Sequence, residues 1–148
     1  IQRNQFDERI DWFSMLHPQF KVSGSQLRYS KITIQRIVDG LSKSYMLFEG
    51  AGRPQSYRGR TPETRNNLSG ARWADDAAEF WVHDLCNGTS MMNCNNNNEI
   101  YSFHTNGCNF AMGDGSVRFV TQDIAPNLFV SQFTRAAEDL LQDEPSNQ

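Results

Sequence analysis

The dipeptide Asp114-Gly115 and the residues on either side of it constrain the fold more than any other feature of this chain. The run 109–113 before it and the run 116–120 after it are short, contain β-branched and aromatic residues and end at turn residues, which is the pattern of two paired strands. Asp-Gly suits a two-residue turn in which both central residues have positive φ, because Gly adopts that conformation freely and Asp tolerates it. The sequence therefore predicts an antiparallel β-hairpin here.

Other patterns predict a mixture of strands and helices. The runs Lys31 to Val38 and Ser44 to Glu49 favour strands, and the turn dipeptide Asp39-Gly40 lies between them. After Pro126, apolar residues recur at helical spacing as far as Leu140, which predicts an amphipathic helix. The remaining expectations are a short helix within residues 1–20, a loop over 22–30, a helical turn or irregular strand over 73–82, a loop over 83–98 and a strand over 100–104.

Length and composition limit the size of the fold. The 148 residues fit one domain, and ten Phe, four Tyr and three Trp supply a thin, aromatic core. The longest apolar runs are far shorter than the ~20 residues that span a membrane as a helix. We expect a single, loop-rich α+β domain over residues 1–148, with an antiparallel sheet, a C-terminal hairpin and a few helices, a long exposed loop over 50–72 and a frayed tail over 141–148.

The charged residues exclude one class of partner. With 17 acidic against 14 basic residues, the chain lacks the basic footprint of a nucleic-acid-binding protein. Arginines nevertheless gather near the 50–72 loop. Solvated side chains are the favoured interpretation of this group, and a docking surface for an acidic partner is the alternative. The residues concerned are Arg53, Arg58, Arg60, Arg65 and Arg72.

The hairpin is part of a longer pattern, in which His104 is followed by nine residues and then by Asp114-Gly115. This pattern resembles the C-terminal "His, nine residues, Asp-Gly" box of a large family of prepilin-like proteins. The family is abundant in planctomycete bacteria, has no assigned function and is sometimes labelled solute-binding. Three further segments, which precede the box in the sequence, resemble segments of the family and occur in the same order. They are the segment from Asp39-Gly40 to Glu49, Trp-Ala-Asp at 73–75 and Asn-Cys-Asn-Asn at 93–96.

The resemblance implies a pilin- or pseudopilin-like fold and an exported protein of the cell envelope, the cell surface or the periplasm. Proteins similar to this one begin with a pilin-like leader and one hydrophobic helix. The chain is therefore expected to be the C-terminal part of a longer precursor, which contacts the membrane only through a helix that precedes it. The resemblance implies no catalytic residue. Its motif residues are His104, Asp114, Gly115, Asp39, Gly40 and Glu49.

Three of these motif residues carry a structural expectation. Asp114-Gly115 is expected to shape the turn and to bind no ligand. His104 is expected to be a hydrogen-bonded histidine that ties its strand to the Asp114 region, rather than a ligand or a base.

Three cysteines lie within 23 residues, at Cys86, Cys94 and Cys108. Because exported proteins tend to oxidise their cysteines, a disulfide is favoured, and Cys86–Cys94 is preferred over Cys94–Cys108. Zinc binds two His and two Cys tetrahedrally. A zinc or other transition-metal site made of His83, Cys86, His104 and Cys108 is therefore the weaker alternative.

Oxygen-bearing side chains alternate at Asn93, Asn95, Asn97 and Glu99. Calcium accepts such oxygen ligands in loops, but only one of the four is charged. Amides that cap an irregular loop are the favoured interpretation, and a calcium site is the alternative.

The chain contains no nucleophile elbow, phosphate loop, dinucleotide fingerprint or His-Glu-x-x-His motif. We expect no enzymatic activity and no cofactor. The leading hypothesis is a non-enzymatic structural or assembly protein of the cell surface or envelope, which self-assembles or attaches to a larger protein complex. A small-molecule or glycan-binding module is the alternative, because Trp73, Trp81 and the amide-rich loop suit sugars. A metal-binding accessory subunit that uses the His/Cys cluster is the third hypothesis.

Overall fold

A computed structural model of the chain describes residues 15–16, 19–23, 26–30, 32–72, 90–97 and 99–135. Strands in this part pair as two hairpins, β1-β2 and β4-β5, and as an antiparallel three-stranded sheet of order β3-β6-β7. With one short α-helix among the described residues, the chain has the character of a small α+β domain, as predicted in broad terms. The elements are β1 (Gln19–Ser23), β2 (Gln26–Ser30), a 3-10 helix (Ile34–Arg36), β3 (Tyr45–Phe48), β4 (Tyr57–Arg58), β5 (Thr61–Pro62), β6 (Gly107–Met112), β7 (Val117–Thr121) and α1 (Pro126–Ser131).

The predicted hairpin at Asp114-Gly115 is confirmed as β6-β7, but its loop differs from the expected turn. The loop has three residues, since the Met112 N–H donates to Ser116 O (2.8 Å) and the Gly115 N–H donates to Met112 O (3.0 Å). Only Gly115 of the Asp-Gly pair has a positive φ, of 85°. The Asp114 carboxylate instead accepts hydrogen bonds from the Ser116 backbone N–H (2.9 Å) and hydroxyl (2.7 Å). Asp114 therefore stabilises the loop through its side chain.

The core lies on one face of the three-stranded sheet and is aromatic. Phe110 of β6 is fully buried, with its ring centroid 4.3 Å from that of Tyr45 in β3 and 5.8 Å from that of Phe129 in α1. A bulge in β3 between Tyr45 and Leu47 allows Tyr45 and Phe48 to pack against the core while Leu47 faces outward. The buried rings explain how a chain with few aliphatic residues builds a core.

The predicted C-terminal helix begins where expected, with Pro126 in its first turn, but ends early. Residues 132–135 leave the helix, and residues 136–140 lie outside the described part. The carbonyls of Gln132 and Arg135 accept hydrogen bonds from the backbone N–H groups of Tyr45 (2.7 Å) and Asp39 (3.3 Å). These tertiary hydrogen bonds compete with continuation of the helix, which the apolar spacing alone could not reveal.

Two predictions in the N-terminal third are wrong. The strand expected over 31–38 is a 3-10 turn at Ile34–Arg36, and Ile34 and Val38 are 69% and 57% exposed. The loop expected over 22–30 is instead largely β-hairpin, since β2 pairs with β1. The Asp39-Gly40 turn is confirmed, and Gly40 has a φ of 96°. Of the helix expected within residues 1–20, positions 1–14 lie outside the described residues.

The strand expected over 100–104 is reduced to a single bridge, in which Tyr101 pairs with Gly50 in a parallel arrangement. The Ala51 N–H donates to Tyr101 O (2.9 Å) and the Tyr101 N–H donates to Glu49 O (3.2 Å). Within the described ranges, no helix is long and apolar enough to cross a membrane.

Replacing Tyr45 by Phe is expected to stabilise the protein. Tyr45 is 3% exposed, and its hydroxyl is buried without a hydrogen-bond partner in the described part of the chain. An unsatisfied buried polar group costs about 1–3 kcal/mol, so Tyr45→Phe should raise the free energy of unfolding by about 1 kcal/mol in a urea titration.

Tyr101→Phe is the matched control for this substitution. The Tyr101 hydroxyl donates to the Gly59 carbonyl (2.5 Å), so removing it should lower the free energy of unfolding by about 1 kcal/mol. Equal losses of stability in both variants would show that the Tyr45 hydroxyl has a partner.

Candidate functional site

Most residues of the segment 50–72 are exposed and lie outside strands, as its composition predicts, but the segment is also tied to the rest of the chain. It contains the short β4-β5 hairpin, and its residues Ser56 and Leu68 are buried. The Arg53 guanidinium donates to the backbone carbonyls of Asn96 (3.0 Å), Ser69 and Asn97. One side chain thus joins this segment to the Asn-rich loop.

The other arginines of this segment have partners of several kinds. Arg60 donates to the carbonyls of Phe103 (3.1 Å) and His104 (2.9 Å), across more than 40 residues of sequence. The Arg58 Nε atom lies 3.0 Å from Glu63 Oε1 in an exposed ion pair, a kind that contributes little to stability. The interpretation of these arginines as solvated side chains is therefore incomplete, because Arg53 and Arg60 hold backbone carbonyls in place.

The amide side chains of the Asn-rich loop bond to the chain itself. Asn96 is 1% exposed, accepts from the Tyr57 N–H (2.7 Å) and donates to the carbonyls of Ala51 (3.1 Å) and Gln55 (2.8 Å). Asn93, at a φ of 66°, accepts from the Ser102 N–H (2.8 Å). These bonds agree with the interpretation of the amides as caps of an irregular loop.

The same interpretation applies to Asn95 among the remaining candidate calcium ligands. Asn95 accepts from the Asn97 N–H (2.9 Å) and donates to the Glu99 carboxylate (2.7 Å). The amide oxygens of Asn93 and Asn95 thus already accept hydrogen bonds from the chain. The calcium alternative stays untested.

A polar cluster brings together two motif residues that are 55 positions apart in the sequence. Glu49 follows β3, and its Oε1 atom lies 3.2 Å from the His104 Nε2 atom. The same carboxylate accepts from the backbone N–H (2.8 Å) and the side-chain amide (3.1 Å) of Asn109 in β6. The expected hydrogen-bonded role of His104 is thus seen, but its side-chain partner is Glu49 and not the Asp114 region. Asn109 was not predicted to be a site residue. Only the alternation of inward and outward side chains along β6 could have indicated that it lies on the same face as this cluster.

The other motif residues lie elsewhere and do not form one site. Asp39 is buried and accepts from the Thr134 hydroxyl (3.2 Å), whereas Asp114 and Gly115 are exposed in the hairpin loop. The motif therefore marks separate structural contacts in the described part of the chain.

The cysteines separate into two environments. Cys108 is a buried free thiol, so the Cys94–Cys108 alternative is wrong. Burial raises the pKa of Cys108 to about 11, which keeps it protonated at neutral pH. Cys94 is not free, and Cys86 lies outside the described residues. The Cys86–Cys94 pairing stays a prediction, and peptide mapping without reductant would test it.

No group of three or more His, Cys, Asp or Glu side chains in the described ranges is arranged to hold a metal. Of the proposed zinc ligands, His104 bonds to Glu49, the Cys108 thiol donates to the Asn93 side chain (3.4 Å), and His83 and Cys86 lie outside those ranges. Trp73 and Trp81, on which the glycan hypothesis depends, also lie outside.

Glu49→Gln is expected to cost stability that depends on pH. Partial burial acts to raise the pKa of Glu49, but the hydrogen bonds from Asn109 together with the charge and hydrogen bond of His104 hold it below its ordinary value of 4.5. The stabilisation is therefore fully present above pH 4.5 and is lost as the pH falls through the lowered pKa of the folded state.

We expect Glu49→Gln to lower the free energy of unfolding by about 1 kcal/mol at pH 7, as measured by urea titration, and by less at about pH 3.5. Asp123→Asn, at an exposed position, is the control and should have little effect. A loss in Glu49→Gln that is equal at the two pH values would contradict the role assigned to the carboxylate.

The face of the sheet opposite the core carries exposed apolar side chains. Leu47 and Val117 both lie opposite Ala111, one on each side of β6, and Phe119 lies opposite Asn109. We name Leu47, Ala111, Val117 and Phe119 the outer sheet face. Leu47 is 55%, Val117 68% and Phe119 48% exposed. The Glu49–His104 cluster borders this face, since the His104 ring lies edge-on to that of Phe119, with centroids 6.2 Å apart.

Comparison with known proteins identifies a family but no characterised relative. Residues 12–127 match the model of the family described as "Protein of unknown function (DUF1559)". No curated protein and no solved structure matches the chain. The predicted membership of a family of unknown function is confirmed in this form, while the prepilin-like description stays a prediction. Because the matched segment covers well over half of the chain, the protein belongs to the DUF1559 family of proteins of unknown function.

Proposed function

We propose that this chain is a non-enzymatic structural or assembly domain of an exported, pilin- or pseudopilin-like protein of the bacterial cell surface or envelope. The outer sheet face is the observation that carries the proposal. Apolar side chains that lie exposed beside one another on a folded domain are candidates for a protein contact surface. Leu47, Val117 and Phe119 are about half to two thirds exposed and lie on the same face of three paired strands.

The border of this face supports the same function. An apolar centre with a polar rim is the usual anatomy of a protein–protein interface. The Glu49 carboxylate is fixed by Asn109 and by His104, so the rim beside Phe119 has a defined arrangement of charge. A fixed rim favours one orientation of a protein partner over others.

The arginines are consistent with this assignment of the contact surface. Arg53 and Arg60 bond to backbone carbonyls and hold the irregular segments together. These structural bonds make the two arginines weaker candidates for binding an acidic partner. The apolar face of the sheet is the better candidate surface.

The experiment compares the chain with a surface variant over a wide range of concentration. Light scattering and negative-stain microscopy of the full chain should show species heavier than the 16.9 kDa monomer as the concentration rises. The double variant Leu47→Ser and Val117→Ser should show fewer of them, because it makes the outer sheet face polar. The matched control, Ile34→Ser and Val38→Ser, changes equally exposed apolar residues away from the sheet. A chain that stays monomeric at millimolar concentration would contradict the proposal.

A further inference from the structure

The edge of the sheet at β7 carries backbone groups that no described strand pairs with. β6 lies between β3 and β7, so among the described strands β7 is an edge. All five β7 side chains are exposed or only partly buried. An edge strand presents a row of unpaired N–H and C=O groups, which is a template for another strand.

The hydrogen bonds at both ends of the hairpin show which β7 residues face this edge. At the loop, the Met112 N–H donates to Ser116 O, and at the open end the Gln122 N–H donates to Asn106 O. Hydrogen-bonded and non-hydrogen-bonded pairs alternate along an antiparallel ladder. Between those two bonds, Arg118 and Val120 direct their backbone groups to β6. Val117, Phe119 and Thr121 therefore direct theirs away from β6, to the edge that no described strand pairs with. The Thr121 carbonyl already accepts from the Ile124 N–H (3.2 Å), so at Thr121 it is the N–H that is offered to a partner strand.

We propose that two copies of this chain associate by antiparallel pairing of their β7 edges, with Phe119 opposite Phe119 of the second copy and Val117 opposite its Thr121. This inference rests on the proposed assembly function and names the partner and the contact. It joins two three-stranded sheets into one sheet of six strands, with the two outer sheet faces side by side.

Charge and the number of paired residues together favour this register among those in which edge-facing residues pair. A shift that places Val117 opposite Phe119 of the second copy would set Arg118 directly opposite the second Arg118, and like charges in that position are destabilising. In the proposed register Arg118 lies opposite Val120. All three edge-facing residues of each strand are then paired, which gives about four backbone hydrogen bonds by the ladder rule, because the Thr121 carbonyl already accepts from Ile124.

The size of the outer sheet face explains why the edge, and not the face, would join the two copies. Three strands about 4.8 Å apart and five residues of about 3.3 Å each give a face of roughly 240 Å². Stable interfaces bury about 800 Å² on each partner. Face-to-face packing of two single sheets would therefore bury too little area, whereas edge pairing adds backbone hydrogen bonds and joins the two outer sheet faces into one larger apolar surface for further contacts. The association should be weak and concentration-dependent.

Cysteine cross-linking tests this register. Paired residues at the proposed contact have Cα atoms about 5.5 Å apart, which is within the range that a disulfide bridges. In the full chain, oxidised by copper phenanthroline and oxygen, Phe119→Cys should form a covalent dimer with itself. Val117→Cys should form one only when it is mixed with Thr121→Cys. The unaltered chain, with its three native cysteines, is the control.

Sedimentation velocity on the same proteins separates this proposal from the assembly function. Phe119→Lys places two lysines opposite each other and should abolish the dimer, whereas Phe119→Thr keeps the strand uncharged and should retain part of it. Association that survives Phe119→Lys, or cross-linking of Val117→Cys alone as strong as that of Phe119→Cys, would overturn the β7 contact and leave the assembly function standing. A chain that is monomeric at every concentration would overturn both.

Discussion

Gly107→Ala is expected to lower the free energy of unfolding by about 3 kcal/mol, because a methyl group at this position has no space. A Cβ atom at Gly107 would lie 2.2 Å from the backbone oxygen of Val120 and 2.7 Å from an atom of the Phe119 ring. The first of these atoms belongs to the backbone of β7, so the strand itself would have to move. Urea denaturation followed by circular dichroism measures the change.

Gly115→Ala is the matched control for the effect of crowding. Gly115 has a φ of 85°, and the space that a Cβ atom would occupy there is open, so this change should cost only the ~1–2 kcal/mol of a left-handed conformation. Phe119→Ala added to Gly107→Ala should restore little stability, because the backbone oxygen of Val120 remains. A loss for Gly107→Ala no larger than that for Gly115→Ala would contradict the close approach of β6 to β7.

Asn96→Ala should cost a similar amount, about 3 kcal/mol, through lost hydrogen bonds. The buried amide bonds the Tyr57 N–H and the carbonyls of Ala51 and Gln55, and each buried group left without a partner costs about 1–3 kcal/mol. Because these partners all lie in 50–72, that segment should also loosen. Trypsin should then cleave after Arg58 faster than in the unaltered protein.

Asn97→Ala is the control for Asn96→Ala, because it removes an exposed amide next in sequence. Its effect on the free energy of unfolding should stay within about 0.5 kcal/mol, and the rate of cleavage should not change. Equal effects of the two substitutions would show that Asn96 does not connect the Asn-rich loop to the 50–72 segment.

The parts of the fold that were predicted correctly are those determined by residues close together in the sequence. The Asp114-Gly115 hairpin, the strand at 45–48 and the turn at Asp39-Gly40 each follow from local turn chemistry or side-chain type. The start of α1 follows from Pro126. Local signals indicated the position of the hairpin but not its loop type, because Asp114 can stabilise a turn by its carboxylate as well as by positive φ.

The wrong predictions concern features decided by distant contacts. Ile34 and Val38 have strand-forming side chains, but no described strand pairs with them. The end of α1 depends on carbonyls that bond to Asp39 and Tyr45, more than 80 residues away. Composition indicated the exposed loop over 50–72 but could not show that Arg53 would bind the Asn-rich loop.

The candidate site was predicted only in part. The family motif selected Glu49 and His104 separately, but nothing in the sequence indicated that they contact each other. The outer sheet face needs the register of three strands and the β3 bulge, and neither can be obtained without the structure.

Amide hydrogen exchange, resolved by residue with NMR at several protein concentrations, tests the central claim most directly. The edge-facing amides of Phe119 and Thr121 should exchange rapidly in dilute solution and become protected as the concentration rises. Those of Arg118 and Val120, which face β6, should be protected throughout. Exchange at these two amides that is independent of concentration would contradict assembly through β7.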